Sequence, residues 1–161
     1  MPSAANATTR RLLVVAHAPS DNTQALRDAV LAGAGSPDIE GIETICRPPL
    51  EAGPEDVLTA DGIILGTTEN LGYMAGAMKD FFDRSYYPCL EHTQGLPVAI
   101  YIRAGHDGTG TRRALETILT GLRWRQIQEP LICRGDFQPQ FVDDCHELGQ
   151  LMAAGLEAGV F

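Results

Sequence analysis

The sequence of 161 residues lacks several features that would place it in particular protein classes. Its apolar run Leu12–Ala16 is shorter than the roughly 7–15 residues of a secretory signal core. No run approaches the roughly 20 apolar residues of a membrane-spanning helix. The four cysteines form no C-x-x-C pair and no histidine–cysteine spacing typical of zinc sites. We therefore expect a cytoplasmic protein with reduced thiols, no membrane span, no disulfide and no metal site.

Basic residues are also scarce. The chain has 12 lysines and arginines against 21 aspartates and glutamates, which gives a formal net charge of −9. Nucleic acids and anionic membranes bind basic surfaces, so this charge argues against both as partners. An acidic surface does suit docking to a basic partner protein.

Motifs of several enzyme classes are missing as well. There is no G-x-S-x-G nucleophile turn, no P-loop and no cysteine followed five residues later by arginine. The four histidines are scattered along the chain, and a surface or structural role is the better interpretation of each, but His106 also lies where it could touch a ligand. We therefore predict no catalytic side chain.

The sequence does contain short apolar runs that alternate with helical patterns. Apolar runs of this length predict β-strands. The five runs are Leu12–Ala16, Ile42–Cys46, Gly62–Leu65, Val98–Ile102 and Ile127–Cys133. Apolar residues at helical spacing predict amphipathic helices around Leu26–Gly33, Met74–Ser85, Ala114–Leu122 and Phe141–Gly155, with a weakly marked one near Pro54–Leu58.

Strands that are apolar throughout and alternate with helices are typical of a parallel sheet covered on both faces. We therefore predict an α/β fold with a doubly wound, five-stranded parallel sheet. Residues 1–10 are small and polar and predict a disordered arm, which leaves one domain over residues 11–161. Ligands of such sheets bind beyond the carboxyl ends of the strands, so the loops after strands 1, 3 and 4 should carry the function.

The first of these loops, His17 to Thr23, leads directly into a helix. A helix start offers free N–H groups and a positive dipole end, and Ser20, Asn22 and Thr23 add polar side chains that suit a phosphate. Simple N-capping by Ser20 or Asp21 explains about half of the same residues.

The second loop, Gly66 to Met74, has two glycines that let backbone approach a flat ligand, with Asn70 as a polar group and Tyr73 as an aromatic face. Its structural interpretation is a strand-to-helix connection with Tyr73 in the core. The third loop, Arg103 to Gly110, is the richest in glycine and suits donation of backbone N–H groups to one edge of a ring, with helix capping as the alternative.

Two stretches of the sequence resemble known motifs. Ser20-Asp21-Asn22-Thr23 is similar to the S-G-N-T phosphate loop of the flavodoxin-like superfamily. GTTENLGYMAGAMKDFFDR, from Gly66 to Arg84, resembles a segment of its NAD(P)H-dependent FMN reductase and NAD(P)H:quinone oxidoreductase branch. Two positions depart from the pattern, Asp21 in place of glycine and Thr68 in place of proline.

The resemblance implies a flavodoxin-like three-layer sandwich of strand order 2-1-3-4-5 with FMN as cofactor. It implies that the phosphate lies on the first loop and the isoalloxazine between the second and third. With the loops, it predicts the following FMN contacts: His17, Ser20, Asn22, Thr23, Thr67, Thr68, Asn70, Leu71, Gly72, Tyr73, Arg103, Gly105, His106, Gly108 and Thr109. The implied activity is hydride transfer from NAD(P)H through FMN to a small-molecule acceptor, a quinone or free flavin.

The main alternative is a non-enzymatic electron carrier that docks through its acidic surface to a partner reductase. A phosphoacceptor signalling domain of the same topology ranks far lower, because it needs an aspartate at the end of strand 3, where this chain has Gly66-Thr67. Aromatic residues of the third helix, Phe81, Phe82, Tyr86 and Tyr87, exceed what one helix face buries and suggest a homodimer contact.

Overall fold

The computed structural model describes residues 9–161. Across these residues it has seven strands and five helices. The strands are β1 (Arg10–Ala16), β2 (Ile42–Arg47), β3 (Gly62–Asn70), β4 (Tyr73–Met74), β5 (Pro97–Ala104), β6 (Arg125–Gln126) and β7 (Leu131–Arg134). The helices are α1 (Asp21–Ala34), α2 (Pro54–Leu58), α3 (Gly76–Cys89), α4 (Thr109–Leu122) and α5 (Pro139–Ala158).

The main sheet has the order β2-β1-β3-β5-β6, and β7 also pairs with β5 beyond β6. All of these pairings are parallel. If β6 and β7 are counted together as the fifth strand, this is the predicted order 2-1-3-4-5. The doubly wound α/β fold is therefore confirmed.

Two strand predictions need correction. The strand expected over Ile127–Cys133 is instead two short strands, β6 and β7, separated by residues 127–130. Pro130 lies in this gap, and a proline has no N–H to donate to a sheet ladder. The strand expected over Gly62–Leu65 continues to Asn70 and pairs with an added antiparallel strand, β4.

Alternation along each strand divides the core into two layers. In β1, Leu13 and Val15 face the cluster that includes α2, α3 and α4, whereas Leu12 and Val14 face the cluster that includes α1 and α5. Successive side chains of a strand point to opposite faces, so a strand that is buried on both faces is apolar throughout. This is the physical basis of the three-layer sandwich.

The described structure begins close to the predicted domain boundary. β1 begins at Arg10, one residue before the predicted domain boundary, and residues 1–8 of the predicted arm lie outside the described residues. Within residues 9–161, no helix combines the length and the apolar character that crossing a membrane requires.

Candidate functional site

Three loops meet at the carboxyl edge of the sheet. The backbone N–H of His17, just after β1, donates to the carbonyl oxygen of Gly66 at 2.9 Å. Register then aligns Gly66 with Tyr101 and Thr68 with Arg103, which brings the end of β3 beside the end of β5. The loops after β1, β3 and β5 are therefore neighbours, as the strand order predicts.

The first loop ends in a capping box. Ser20 is the N-cap of α1, and its Oγ accepts from the backbone N–H of Thr23 at 3.2 Å. In return, Thr23 Oγ1 accepts from the backbone N–H of Ser20 at 2.9 Å. These two side chains are thus occupied with each other, whereas Asp21 and Asn22 are exposed at the helix start.

The second loop contains a β-hairpin, which the sequence analysis did not predict. Asn70 pairs with Tyr73 across a two-residue turn of Leu71 and Gly72, which have φ of 53° and 75°. Positive φ at both central residues defines the type I′ hairpin turn, which matches the twist of the flanking strands. Glycine adopts this conformation without cost, but leucine does not.

The hairpin exposes apolar groups at its tip. The Leu71 side chain is fully exposed, and Tyr73 is 41% exposed. The structural interpretation that placed Tyr73 in the core is therefore wrong. The tip offers an apolar and aromatic surface at the edge of the sheet.

Threonines at the base of the hairpin hold its backbone together. Thr67 is buried, and its Oγ1 accepts from the N–H of Ala75 at 3.1 Å and donates to the carbonyl of Thr68 at 2.9 Å. The Thr68 hydroxyl is 2.7 Å from Oδ1 of Asn70. Thr67 thus fixes the hairpin from inside, and Asn70 is the exposed polar residue of this set.

The third loop caps α4. Asp107 Oδ1 accepts from the backbone N–H of Thr109 at 3.0 Å, and this bond lowers the pKa of the Asp107 carboxyl. Gly108 is the N-cap with φ of 71°. Arg134, from the end of β7, donates to the carbonyl of Asp107 at 2.8 Å. Gly105 and His106 remain exposed at the front of the loop.

The side chain of Arg103, a predicted FMN contact, is held by other groups of the protein. Its Nη1 donates to the carbonyls of Ala104 and Cys133, each at 3.1 Å. Its guanidinium also lies over the rings of Phe137 and Phe141, at 5.8 and 5.4 Å from their centroids. These contacts hold the guanidinium against the segment after β7.

One residue absent from the predicted set joins the second and third loops. Glu69, in β3, accepts from the backbone N–H of His106 through Oε1 and from that of Gly108 through Oε2, both at 2.9 Å. No motif marks this residue, because its partners are backbone groups 37 and 39 positions away. Strand alternation places Glu69 on the same side as buried Thr67, and this was the available signal.

The first turn of α4 adds two neutral contacts to this junction. Thr111 Oγ1 donates to the carbonyl of Tyr73 at 2.9 Å. A β-carbon on Gly110 would overlap the carbonyl oxygen of Gly72, so only glycine allows this approach. The second and third loops are therefore in direct contact with each other.

A cavity of about 470 Å³ opens beside the first loop. Its lining consists of Ala16, Ala18, Arg27, Asp28, Leu31, Cys46 and Pro48. Arg27 is paired with Asp28 at 3.0 Å, and burial raises the pKa of the Cys46 thiol. Burial also lowers the pKa of His17.

Two of the four aromatic residues that suggested a dimer contact lie in the core. Phe81 and Phe82 are buried, whereas Tyr87 is 79% exposed. The exposed aromatic surface of α3 is thus smaller than the sequence suggested, and it is centred on Tyr87.

The fold is shared with solved flavodoxins. The structure aligns with a flavodoxin from the domain Archaea at a TM-score of 0.73 and 19% identity, covering 89% of this chain and 96% of that one. It aligns with Megasphaera elsdenii flavodoxin at 0.72 and 17%, covering 88% and 98%. A flavodoxin, WrbA-like protein from Agrobacterium tumefaciens aligns at 0.70 and 14%, covering 94% and 99%. At these identities the likeness concerns the fold.

Two sequence comparisons indicate the family as well as the fold. A flavodoxin from Aquifex aeolicus is 33% identical over 112 residues, which are 70% of this chain and 60% of that protein. The model of the family described as NADPH-dependent FMN reductase matches residues 39–137, which include the second and third loops. The chain therefore belongs to the NADPH-dependent FMN reductase family, within the flavodoxin-like superfamily.

Proposed function

We propose that the chain binds one FMN at the carboxyl edge of its sheet and acts as an NAD(P)H-dependent oxidoreductase on a quinone or free flavin. The observation that carries this proposal is the junction of the three loops at one edge, two of them within the region that matches the family. FMN supplies the group that accepts and donates hydride, and the protein supplies binding, orientation and electrostatics.

The exposed backbone of this edge fits a flat ring. Gly72 and Gly105 are exposed, and a β-carbon at either would meet no atom within 4 Å. Because the second and third loops contact each other, the ring would rest on their exposed edge, which Tyr73 and His106 flank. Tyr73 then offers a stacking surface for the nicotinamide or the acceptor.

The start of α1 fits a phosphate through its backbone. The N–H groups of Asp21 and Asn22 occupy the first two helical positions, where no partner exists within the helix. Ser20 and Thr23 contribute by fixing the helix start, since their side chains cap each other. The Asp21 carboxylate opposes the phosphate, which sets a limit on affinity.

Titration with FMN tests this assignment. Binding should quench the fluorescence of FMN. It should also raise the melting temperature of the protein, because a ligand that binds only the native state stabilises that state. Riboflavin, which lacks the phosphate, is the matched ligand and should bind at least tenfold more weakly. Equal affinities for FMN and riboflavin would show that α1 does not bind the phosphate. An absence of quenching by FMN would refute the proposal.

A second candidate function is that of an electron carrier. The net charge of −9 favours docking to a basic partner, and the Aquifex aeolicus relative is a flavodoxin. Anaerobic addition of NADPH or NADH separates the candidates. An oxidoreductase loses its flavin absorbance with the nicotinamide alone and recovers it with a quinone over repeated cycles. A carrier is reduced only when a partner reductase is added.

The exposed Tyr87 supports a homodimer in this proposal. It lines a cavity of about 220 Å³ between α3 and α4, together with Tyr86 and Ile118. Light scattering should give twice the chain mass, and Tyr87→Ser should lower it toward the monomer. A monomeric parent protein would end this part of the proposal.

A further inference from the structure

Glu69 joins two elements that the sequence separates widely. Its carboxylate accepts two hydrogen bonds of 2.9 Å from backbone N–H groups of the third loop, one on each oxygen. Within the hairpin, Glu69 of β3 pairs with Met74 of the neighbouring strand β4. The carboxylate therefore links the hairpin of the second loop to the N-cap of α4.

We propose that Glu69 is a positioning residue for FMN: its carboxylate fixes the third-loop backbone in the conformation that receives the ring. This inference rests on the proposed function. The link is strong because hydrogen bonds to an ionised acceptor are roughly twice as strong as neutral ones. The neighbouring contacts of Thr111 and Gly110 are neutral, so Glu69 supplies the charged part of the junction.

The donor arrangement requires a carboxylate. The N–H groups of His106 and Gly108 flank Asp107, so two acceptors are needed to hold both ends of this short segment. A glutamine has one acceptor oxygen and one NH₂ group, and the NH₂ would face an N–H donor. Glu69→Gln therefore loses one bond and sets two donors against each other with almost no change in size.

Burial indicates that the link supports the site and does not block it. Gly108 is buried and Glu69 is half-buried, whereas Gly105 and His106 are exposed. The N–H of Gly108 thus lies below the surface on which a ring would rest. Glu69 holds the loop from beneath and leaves its exposed face free.

The test compares Glu69→Gln with Glu91→Gln, a control with the same change on an exposed residue outside the three loops. In the FMN-free protein, amide exchange at His106 and Gly108 should rise at least tenfold in Glu69→Gln and stay unchanged in the control. The dissociation constant for FMN should rise about tenfold in Glu69→Gln relative to the control, and cooperative urea unfolding of the FMN-free variant should show that the fold is retained.

Glu69→Asp keeps both acceptors on a shorter stem and should recover part of the FMN affinity, which separates positioning from general loss of structure. Unchanged exchange at His106 and Gly108 would overturn the link. Unchanged or tighter FMN binding in Glu69→Gln would overturn the positioning role, and tighter binding would show that the carboxylate competes with the ring. If the parent protein binds no FMN, the proposed function fails together with this role, while the exchange result still reports whether the link exists.

Discussion

The α-carbon of Gly110 faces the carbonyl oxygen of Gly72 so closely that a β-carbon on Gly110 would overlap this oxygen. The contact places the first turn of α4 directly on the hairpin turn. It makes the geometry of the second loop dependent on the third, and so the candidate site depends on a glycine that touches no ligand in the proposal.

Gly110→Ala should push the hairpin away from α4. The added methyl group has to displace backbone, so we expect a loss of about 1–3 kcal/mol in the free energy of unfolding. Urea denaturation measures it. Gly76→Ala is the control, because a methyl group at the start of α3 meets no atom within 4 Å. Equal stability of the two variants would contradict the contact.

Asp21→Asn should tighten FMN binding by a few-fold. The substitution removes an exposed carboxylate from the proposed phosphate site, and it should slightly destabilise the FMN-free protein because a negative charge favours a helix start. Asp38→Asn removes one charge from an exposed turn before β2 and should leave FMN affinity unchanged. Fluorescence titration at low and high salt provides the measurement. The gap between Asp21→Asn and the parent should narrow in high salt, and a gap independent of salt would speak against a charge effect.

Tyr101→Phe should leave stability unchanged or raise it by up to about 1 kcal/mol. The Tyr101 hydroxyl is buried and has no hydrogen-bond partner among the described residues, and burial raises the pKa of this tyrosine far above its ordinary value. Removing the hydroxyl removes a polar group that folding desolvates without compensation. Thermal unfolding of the variant and of the parent protein provides the measurement. A clear destabilisation in Tyr101→Phe would contradict the prediction, because it would mean that the hydroxyl contributes to stability.

His17 should make stability fall in mildly acidic solution. Burial lowers the pKa of its imidazole, so the unfolded chain binds a proton more readily than the folded one. The free energy of unfolding therefore decreases as the pH drops through about 6.5, the ordinary value for histidine. His17→Asn should remove this part of the slope, as urea denaturation between pH 5 and 8 would measure. Between pH 7.5 and 8 both proteins should show the same slope, and an unchanged slope near 6 would exclude His17.

The fold could be predicted from the sequence because its determinants are periodic. β1 is buried on both faces, so its apolar run was visible, and the helices packed on the sheet repeat their apolar residues at helical spacing. The fifth strand was predicted as one continuous run because the apolar Ile127 extended it across Pro130, which lies in the gap between β6 and β7. Apolar character alone does not report which residues complete a hydrogen-bonded ladder.

The candidate site was predictable in position but not in its internal contacts. Sheet topology fixes where the three loops begin, because each follows a strand that ends at the same edge. Their meeting could therefore be expected from strand order. Ser20 and Thr23 were selected as ligand groups, yet in the structure they bond to each other. Glu69 escaped notice because strand alternation indicates only the side of the sheet that it faces, and its backbone partners are 37 and 39 positions away.

The Leu71–Gly72 turn has a consequence for motion at this edge. A leucine held at φ of 53° costs about 1–2 kcal/mol relative to its ordinary conformations, and the turn keeps it there although its side chain contacts solvent. Rotation of the peptide between Asn70 and Leu71 changes the φ of Leu71 and would release this energy, whereas the carbonyl of Gly72 is held against Gly110. Relaxation-dispersion NMR should detect exchange at the amide of Leu71 above that of β3. The hairpin tip thus holds a strained residue, Leu71, beside a fixed one, Gly72, so we expect conformational change at this edge to begin at Leu71.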